Sequence, residues 1–131
     1  MMGPVLIQLP PNFAAKHDVL EAFLAALPKR EGRRWAVEFR HDSWKTEATT
    51  EVLARHGVAW VADDTDDADA VIHDTADHLY VRLRKTDYSD EQLRAWAEQL
   101  RGSGRECHVY VRHTDVEAPW LWADRLVELT R

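Results

Sequence analysis

The chain has 131 residues, of which 45% are hydrophobic and 31% are charged, and this composition indicates a single folded domain rather than a disordered segment. A single cysteine, Cys107, excludes an internal disulfide and multi-cysteine zinc modules, which fits a reducing cytoplasm. The formal net charge of −6 argues against nucleic-acid binding as the main role, and no apolar run reaches the roughly 20 residues that span a membrane.

The first sixty residues alternate apolar runs with segments of helical periodicity. Val5–Leu9 is a branched, apolar run that two prolines stop, so it predicts a strand. Apolar side chains at helical spacing over 19–27 predict a helix, and Trp35–Phe39 predicts the second strand. A second helix is predicted over 46–56, because Gly57 favours the left-handed turn that commonly ends a helix.

An acidic segment separates the third and fourth predicted strands, which are Val58–Ala62 and Leu79–Leu83. Residues 63–77 hold seven Asp and no Lys or Arg, so the net acidity of the chain belongs to this segment. Two interpretations fit it: a solvated loop, or a site for a divalent cation or a basic partner.

Ser89 and Gln92 form a capping-box pattern that predicts the start of a third helix. His108–Val111 predicts a fifth strand, and a second capping-box pattern over 114–117 predicts a last helix that runs to about residue 130. Strands that alternate with helices and are apolar at most positions predict an α/β fold with a parallel sheet. No glycine-rich phosphate loop follows the first strand, which favours a barrel-type succession over a nucleotide-binding fold.

Side-chain alternation divides the predicted strands into an apolar face and a polar face. Val37 and Phe39 share the face that should meet the helices, whereas Glu38 and Arg40 share the other. The second face should line a barrel interior and grows more polar toward the carboxyl ends of the strands, where parallel barrels bind ligands. Its polar residues are Gln8, Glu38, Arg40, Arg82, Arg84, Tyr110 and Arg112.

Four arginines and one glutamate are an unusual lining, because burying one unpaired charge costs several kcal/mol. Guanidinium groups bind carboxylate and phosphate oxygens in a bidentate manner, so the pattern predicts a pocket for a small anion. In that pocket Glu38 would orient the ligand or act as a general base. The alternative interpretation is a structural Arg–Glu network, or charges that are simply solvated at the strand ends.

Four segments resemble the uncharacterised YecE-like family, a family defined by domain of unknown function 72 with a TIM-barrel-type fold. They are Gly3–Phe13, Ala36–Trp44, Thr75–Asp90 and, more loosely, Val109–Asp115. The resemblance implies that Gln8, Glu38, Arg40, His41, Trp44, Arg82 and Tyr88 fall on motif positions of the family. It implies no reaction, so it leaves open whether the protein is an enzyme.

The chain departs from that family in length. A full TIM barrel has ~250 residues, and the glycine-tryptophan motif strand and two further βα units of the family have no counterpart here. We therefore predict one truncated, incomplete TIM-barrel-like domain over 1–131, with about five parallel strands equivalent to strands four to eight and helices on one face. A truncated or mis-started reading frame is one interpretation of Met1 and Met2, which directly precede the GPVL motif.

The leading functional hypothesis is the binding of a small phosphate- or carboxylate-bearing ligand at the carboxyl ends of the strands. Glu38 is the candidate catalytic residue, and Trp44 at the pocket rim would either stack on a flat ligand or simply pack. The candidate ligand-binding residues are Gln8, Arg40, His41, Trp44, Arg82, Arg84, Tyr88 and Arg112.

Two other hypotheses stay open. In the first, the chain is a non-catalytic half-barrel. It acts only by associating with a second copy or with a separate N-terminal half, or it has no activity. Alternatively, it would be a metal-dependent barrel of the phosphodiester-hydrolase type, with ligands drawn from Glu38, His41, Asp63, Asp64 and His113, although no pair has the helical spacing of a metallohydrolase motif. We predict no bound metal or cofactor, no membrane partner and a cytoplasmic location.

Overall fold

The computed structural model describes residues 4–28, 33–111 and 125–129. In chain order the elements are β1 (Val5–Gln8), α1 (His17–Ala26), β2 (Trp35–Glu38), α2 (Glu47–His56), β3 (Ala59–Trp60), β4 (Ala62–Asp64), β5 (His78–Leu83), α3 (Asp90–Gly102) and β6 (Glu106–Val111). A 3₁₀ helix spans Asp42–Trp44, and residues 125–129 are helical. Within these ranges, every helix is too short or too polar to cross a bilayer.

All strand pairs are parallel, as the alternation of strands and helices predicts. The strands form two three-stranded sheets, ordered β1–β2–β3 and β4–β5–β6. The register matters for function because it aligns the polar residues across neighbouring strands. Gln8 pairs with Glu38 at the end of β1 and β2, and Arg82 of β5 lies between Asp63 of β4 and Tyr110 of β6.

The third predicted strand is in fact two short strands that serve different sheets. β3 pairs with β2, whereas β4 pairs with β5. Between them the N–H of Val61 donates to the carbonyl of Val37 at 2.9 Å. The segment therefore changes its hydrogen-bonding partner within six residues and brings the two sheets together along 59–64. Residues 4–28, 33–111 and 125–129 thus hold six strands, whereas the sequence predicted about five.

The predicted apolar strand face packs against the helices, which confirms this part of the side-chain assignment. Leu20 and Leu24 of α1 and Leu53 of α2 are buried together with Val37 of β2. In the second sheet, α3 covers β5 in the same manner, through Leu93, Ala97 and Leu100 against Val81 and Leu83. Apolar side chains at helical spacing on one side and at alternate strand positions on the other produce one helix-facing cluster for each sheet.

The helix ends follow the sequence signals. Gly57 ends α2 with φ of 63°, the left-handed conformation that costs glycine least. Ser89 accepts from the N–H of Gln92, and the Gln92 side chain accepts from the N–H of Ser89, so the predicted capping box starts α3. The capping-box pattern predicted over 114–117 lies outside the described residues.

The opposite strand face has an apolar middle and polar ends. Ala36, Ala59, Val61 and Tyr80 form a separate buried cluster there. Two residues beyond this cluster, toward the carboxyl end of each strand, the side chains on the same face are polar. These polar side chains form the candidate site. The amino end of this face is polar as well, because it holds the buried His78.

His78 is 3% exposed, and its Nε2–H donates to the carbonyl of Trp35 at 2.9 Å. Burial is the main cause that lowers the pKa of His78, and the positive charges of Arg34 and His108 lower it further. The hydrogen bond to the Trp35 carbonyl and the negative charge of Glu106 act in the opposite direction. The unfolded chain therefore binds a proton at a pH at which the folded chain does not.

We expect the free energy of unfolding to fall as the pH drops below the ordinary histidine pKa of about 6.5, and to level off below the lowered pKa of folded His78. His78→Gln keeps an N–H donor for the Trp35 carbonyl but does not titrate, so its stability should depend less on pH over this range. Urea denaturation at pH 7.5, 6.5, 5.5 and 4.5 measures both slopes. Equal slopes for the two proteins would contradict the assignment.

Candidate functional site

The carboxylate of Glu38 is the centre of a polar cluster at the carboxyl ends of the strands. Its Oε1 accepts hydrogen bonds from Gln8 Nε2 at 3.1 Å and from Arg40 Nε and Nη2 at 3.3 and 3.2 Å. Its Oε2 accepts from Arg82 Nη1 at 2.5 Å. We call these four residues, Gln8, Glu38, Arg40 and Arg82, the Glu38 cluster.

The strand register builds this cluster. Gln8 and Glu38 are the last residues of β1 and β2 and are paired, so their side chains emerge side by side. Arg40 lies two residues beyond Glu38 and so shares its face, as side-chain alternation predicts. Arg82 reaches the same carboxylate from β5, in the other sheet, so the cluster ties the two sheets together.

The electrostatics of the cluster follow from burial. Glu38 is 2% exposed, and an unpaired carboxylate at that depth would cost several kcal/mol. Two guanidinium groups and one amide satisfy it instead. Since two positive charges meet one negative charge, the cluster keeps a net positive charge, and Arg40, whose side chain is 40% exposed, carries part of it to the surface.

Arg84 extends the positive surface but is itself paired. Its Nε and Nη2 donate to Asp63 Oδ1 and Oδ2 at 2.6 and 2.5 Å, a bidentate fork. The hydrogen bond to Asp63 raises the pKa of Arg84, whereas burial opposes that rise. Because Asp63 is paired in register with Arg82, this second ion pair lies directly beside the Glu38 cluster.

The acidic segment uses its carboxylates within the protein. Asp64 accepts from the N–H of Ala70 at 2.9 Å and from the hydroxyl of Tyr88 at 2.8 Å. Asp66 binds the N–H and hydroxyl of Thr86, and Asp69 accepts from Lys85 at 2.6 Å. These contacts fasten the loop over 65–73 to residues 84–88, which follow β5. In this arrangement the carboxylates of Asp64, Asp66 and Asp69 hold the loop in place.

The fastened loop forms one wall of a cavity of about 540 Å³, which we call the rim cavity. The aromatic residues Phe39, Trp60 and His73 line it. So do charged residues of both signs, which are Arg40, Lys45, Glu47, Asp63, Asp69 and Arg84. His73 stacks on Trp60 with ring centroids 3.9 Å apart and an interplanar angle of 12°. Burial lowers the pKa of His73, which favours the neutral imidazole.

A second cavity of about 560 Å³ lies on the other side of Arg84, which lines both. Its walls combine the charged side chains of Arg82, Asp66 and Asp67 with Val111 and the exposed ring of Tyr110. The three arginines of the site therefore face two cavities rather than one shared pocket.

Three residues that the sequence predicts for the site lie elsewhere. Trp44 is 1% exposed and packs in the helix-facing core, stacked on Phe39, with its Nε1–H donating to the carbonyl of Phe13 at 2.8 Å. Tyr88 is buried on the helix-facing side, where its hydroxyl binds Asp64. His41 caps the 3₁₀ helix, since its Nδ1 accepts from the N–H of Ser43 at 3.1 Å.

These placements correct the expectation of one ligand-facing set. Trp44 offers no surface for stacking on a ligand, because the rings of Phe13, His17 and Phe39 and the rest of the core cover it. Residues just beyond a strand need not continue its alternation, and both His41 and Trp44 follow the end of β2, where the chain enters a 3₁₀ helix. Arg112, the remaining predicted ligand-binding residue, lies outside the described residues.

Sequence reasoning missed Asp63 as the partner of Arg84, and it missed the aromatic wall of Trp60 and His73. Strand alternation could have found the first, because Asp63 shares its face with Ala59 and Val61. No local signal could have found the second, since His73 lies in a loop thirteen residues beyond Trp60 at the end of β3.

The candidate metal ligands do not assemble. Among the residues that the structure describes, no group of three or more His, Cys, Asp or Glu side chains has an arrangement that could hold a metal ion. Glu38 and Asp63 are bound by arginines instead, and Asp64 by Tyr88 and the backbone. The fifth candidate, His113, falls outside the described ranges.

Comparison with known proteins places the chain in a family. A family model described as "Protein of unknown function DUF72" matches residues 1–131. The chain belongs to the DUF72 family. This confirms the resemblance to the YecE-like family, which is the same family under another name. No protein with a curated description matches the chain.

Solved structures of DUF72 proteins have a similar fold. A DUF72 family protein from Thermotoga maritima is 24% identical with a TM-score of 0.70, and the match covers 97% of this chain and 56% of that one. A DUF72 family protein from Enterococcus faecalis is 12% identical with a TM-score of 0.71, covering 95% and 57% of the two chains. The chain thus spans little more than half the length of these relatives, and the likeness concerns the fold.

The fastening of the acidic loop can be tested at Tyr88. Tyr88→Phe removes the hydroxyl that donates to Asp64 and accepts from the N–H of Lys85, and so leaves two buried polar groups short of a partner. We expect the free energy of unfolding to fall by about 1–3 kcal/mol. Amide hydrogen exchange at Ala70, whose N–H binds Asp64, should accelerate.

The matched control is Tyr110→Phe, which removes a hydroxyl from an exposed ring and should change stability by less than about 0.5 kcal/mol. Urea denaturation and hydrogen exchange measure both variants. If Tyr88→Phe were as mild as Tyr110→Phe, the acidic loop would not depend on this contact.

Proposed function

We propose that the chain forms one incomplete, TIM-barrel-like domain whose polar strand face binds a small anion at the carboxyl ends of the strands. The parallel strand order, the helices on one face and the apolar middle of the other face support a barrel-type arrangement. Ligands of parallel barrels bind at the carboxyl ends of the strands, where Arg40, Arg82 and Arg84 lie.

The observation that carries the proposal is the convergence of Arg40 and Arg82 on one buried carboxylate. Within the cluster, Arg82 gives Nη1 to Glu38 and Arg40 gives Nε and Nη2, so each guanidinium has further N–H groups to offer. A planar group held at one edge is pre-organised at the other, which lowers the entropic cost of binding an oxyanion.

We assign Glu38 an orienting role. Both of its oxygens accept hydrogen bonds in the unliganded protein, from three different side chains, and its 2% exposure keeps solvent away. A general base needs a lone pair aimed at the proton it takes. Three of the four hydrogen bonds that Glu38 accepts fall on Oε1 and one on Oε2, and through them it positions both arginines as it stands.

The ligand class follows from the same geometry. Guanidinium forks match the paired oxygens of carboxylates and phosphates, and one net positive charge suits a small acid rather than a polyanion. Inorganic phosphate and acetate are the simplest probes of this site.

Binding should weaken when the fork is replaced by a point charge. Arg82→Lys keeps the positive charge but loses the planar geometry, so we expect the Kd for inorganic phosphate to rise about tenfold, equivalent to about 1.4 kcal/mol. Isothermal titration calorimetry at low salt measures the affinity. The control is Arg94→Lys on the exposed surface of α3, which should bind as the unaltered protein does.

The same titration on Glu38→Gln tests whether Glu38 orients the arginines for the ligand or competes with the ligand for them. If Glu38 orients the arginines, this variant binds phosphate more weakly although a negative charge has been removed. Tighter binding would instead make Glu38 a competitor of the ligand, and unaltered protein that bound neither probe would overturn the anion site.

Strand edges favour a second candidate function, which is association with another chain. Within the described residues, β1 pairs with β2 alone and β6 with β5 alone, so each carries an unpaired edge. The chain also spans 56–57% of the DUF72 structures that it resembles. We propose that these edges join a second copy of the chain.

The edge of β1 provides the test. Val5 and Leu9 donate their N–H groups to Arg34 and Glu38 of the β2 segment, so alternation turns the N–H of Leu6 toward the open edge. Leu6→Pro removes that donor at a position where an edge strand tolerates proline. We expect sedimentation velocity to give a dimer for the unaltered protein and a folded monomer for the variant. A monomer for both at about 100 μM would exclude this association.

A further inference from the structure

The rim cavity combines two walls of different chemistry. One wall is a continuous set of rings, because His73 stacks on Trp60 and Phe39 meets Trp60 edge-on, with centroids 5.3 Å apart at 76°. The guanidinium groups of Arg40 and Arg84 also line the cavity. A pocket that bound phosphate alone would need only aliphatic side chains or backbone groups beside its arginines. The ring wall therefore indicates a ligand with a part other than the anionic group.

The rings are held in place from outside the cavity. Phe39 stacks on the buried Trp44, with centroids 4.7 Å apart, and Trp60 belongs to the same core cluster. His73 lies in the loop that the carboxylates of Asp64, Asp66 and Asp69 fasten to residues 84–88. The ring wall is therefore pre-formed, and a ligand would find it without rearrangement.

We propose that the rim cavity binds a planar aromatic acid, a flat ring that carries a carboxylate or phosphate group. The ring packs against the wall of Phe39, Trp60 and His73, and the acidic group meets Arg40 and Arg84. The inference rests on the proposed anion site, of which Arg40 lines the rim cavity and Arg82 does not, and it adds the chemical class of the rest of the ligand.

The size of the cavity fits this class, and its charged lining holds both signs, with Arg40, Lys45 and Arg84 alongside Glu47, Asp63 and Asp69. A volume of about 540 Å³ lies within the range of roughly 300–1,000 Å³ that is typical of small-molecule sites. Burial lowers the pKa of His73, so at neutral pH its ring is an uncharged aromatic surface. The second cavity offers Tyr110 alone among aromatic residues, so the rim cavity is the one suited to a ring.

The test compares two acids of equal carbon number, benzoate and cyclohexanecarboxylate. Both present the same carboxylate, so the ratio of their affinities reports the flat ring. An aromatic contact contributes about 0.5–1.5 kcal/mol beyond area burial, so we expect benzoate to bind roughly two- to tenfold more tightly, as measured by calorimetry. His73→Ala should bring this ratio close to one, and His73→Phe, which keeps a ring, should preserve it.

His56→Ala is the matched control, because this histidine lies on α2 against Glu21, away from the cavity. It should leave the ratio unchanged. Inorganic phosphate is titrated in parallel on the unaltered protein. If phosphate binds but the two acids bind equally, the aromatic-acid inference is overturned while the anion site stands. If neither acid nor phosphate binds, the anion site itself is overturned.

Discussion

The burial of the Glu38 carboxylate is the constraint on which the arrangement at the carboxyl ends of the strands depends. A carboxylate with 2% exposure must be paired, and the residues that pair it come from three strand segments: β1, the end of β2, and β5. Removing one partner from such a pair would leave a buried charge and cost several kcal/mol. The carboxylate therefore fixes the positions of two guanidinium groups and also links β5 to the first sheet.

Carboxylates of the acidic segment are also paired within the protein. Asp63 binds Arg84, and Asp64, Asp66 and Asp69 bind groups on residues 85–88. Carboxylates that lie close together repel one another, but here groups on residues 84–88 donate hydrogen bonds to the carboxylates of Asp63, Asp64, Asp66 and Asp69. The loop gains a defined conformation, and its far end brings His73 onto Trp60. The acidic segment, which fits a solvated loop in the sequence, thus forms part of the wall of the rim cavity.

The split of the third strand shows how the two sheets share one inner face, where the cluster of Ala36, Ala59, Val61 and Tyr80 joins them. β3 completes the sheet of β1 and β2, and within two residues β4 begins the sheet of β5 and β6. Because alternation continues through the segment, Ala59 and Val61 stay on the apolar middle of the inner face and Asp63 continues onto its polar end. The polar residues of both sheets consequently meet at one end, as the DUF72 membership and the parallel order lead us to propose for a barrel interior.

The sequence by itself determined the alternation of strands and helices, the helix ends at Gly57 and Ser89, the apolar strand face and the family. These are local properties, because alternation, helical spacing and capping depend on residues only a few positions apart. The tertiary structure alone decided the rest. It set the pairing of Glu38 with Arg82, the fork of Arg84 on Asp63, the burial of Trp44 and the stacking of His73 on Trp60. Each of these joins residues from separate elements or loops, and register, burial and loop path are settled only when the whole chain packs.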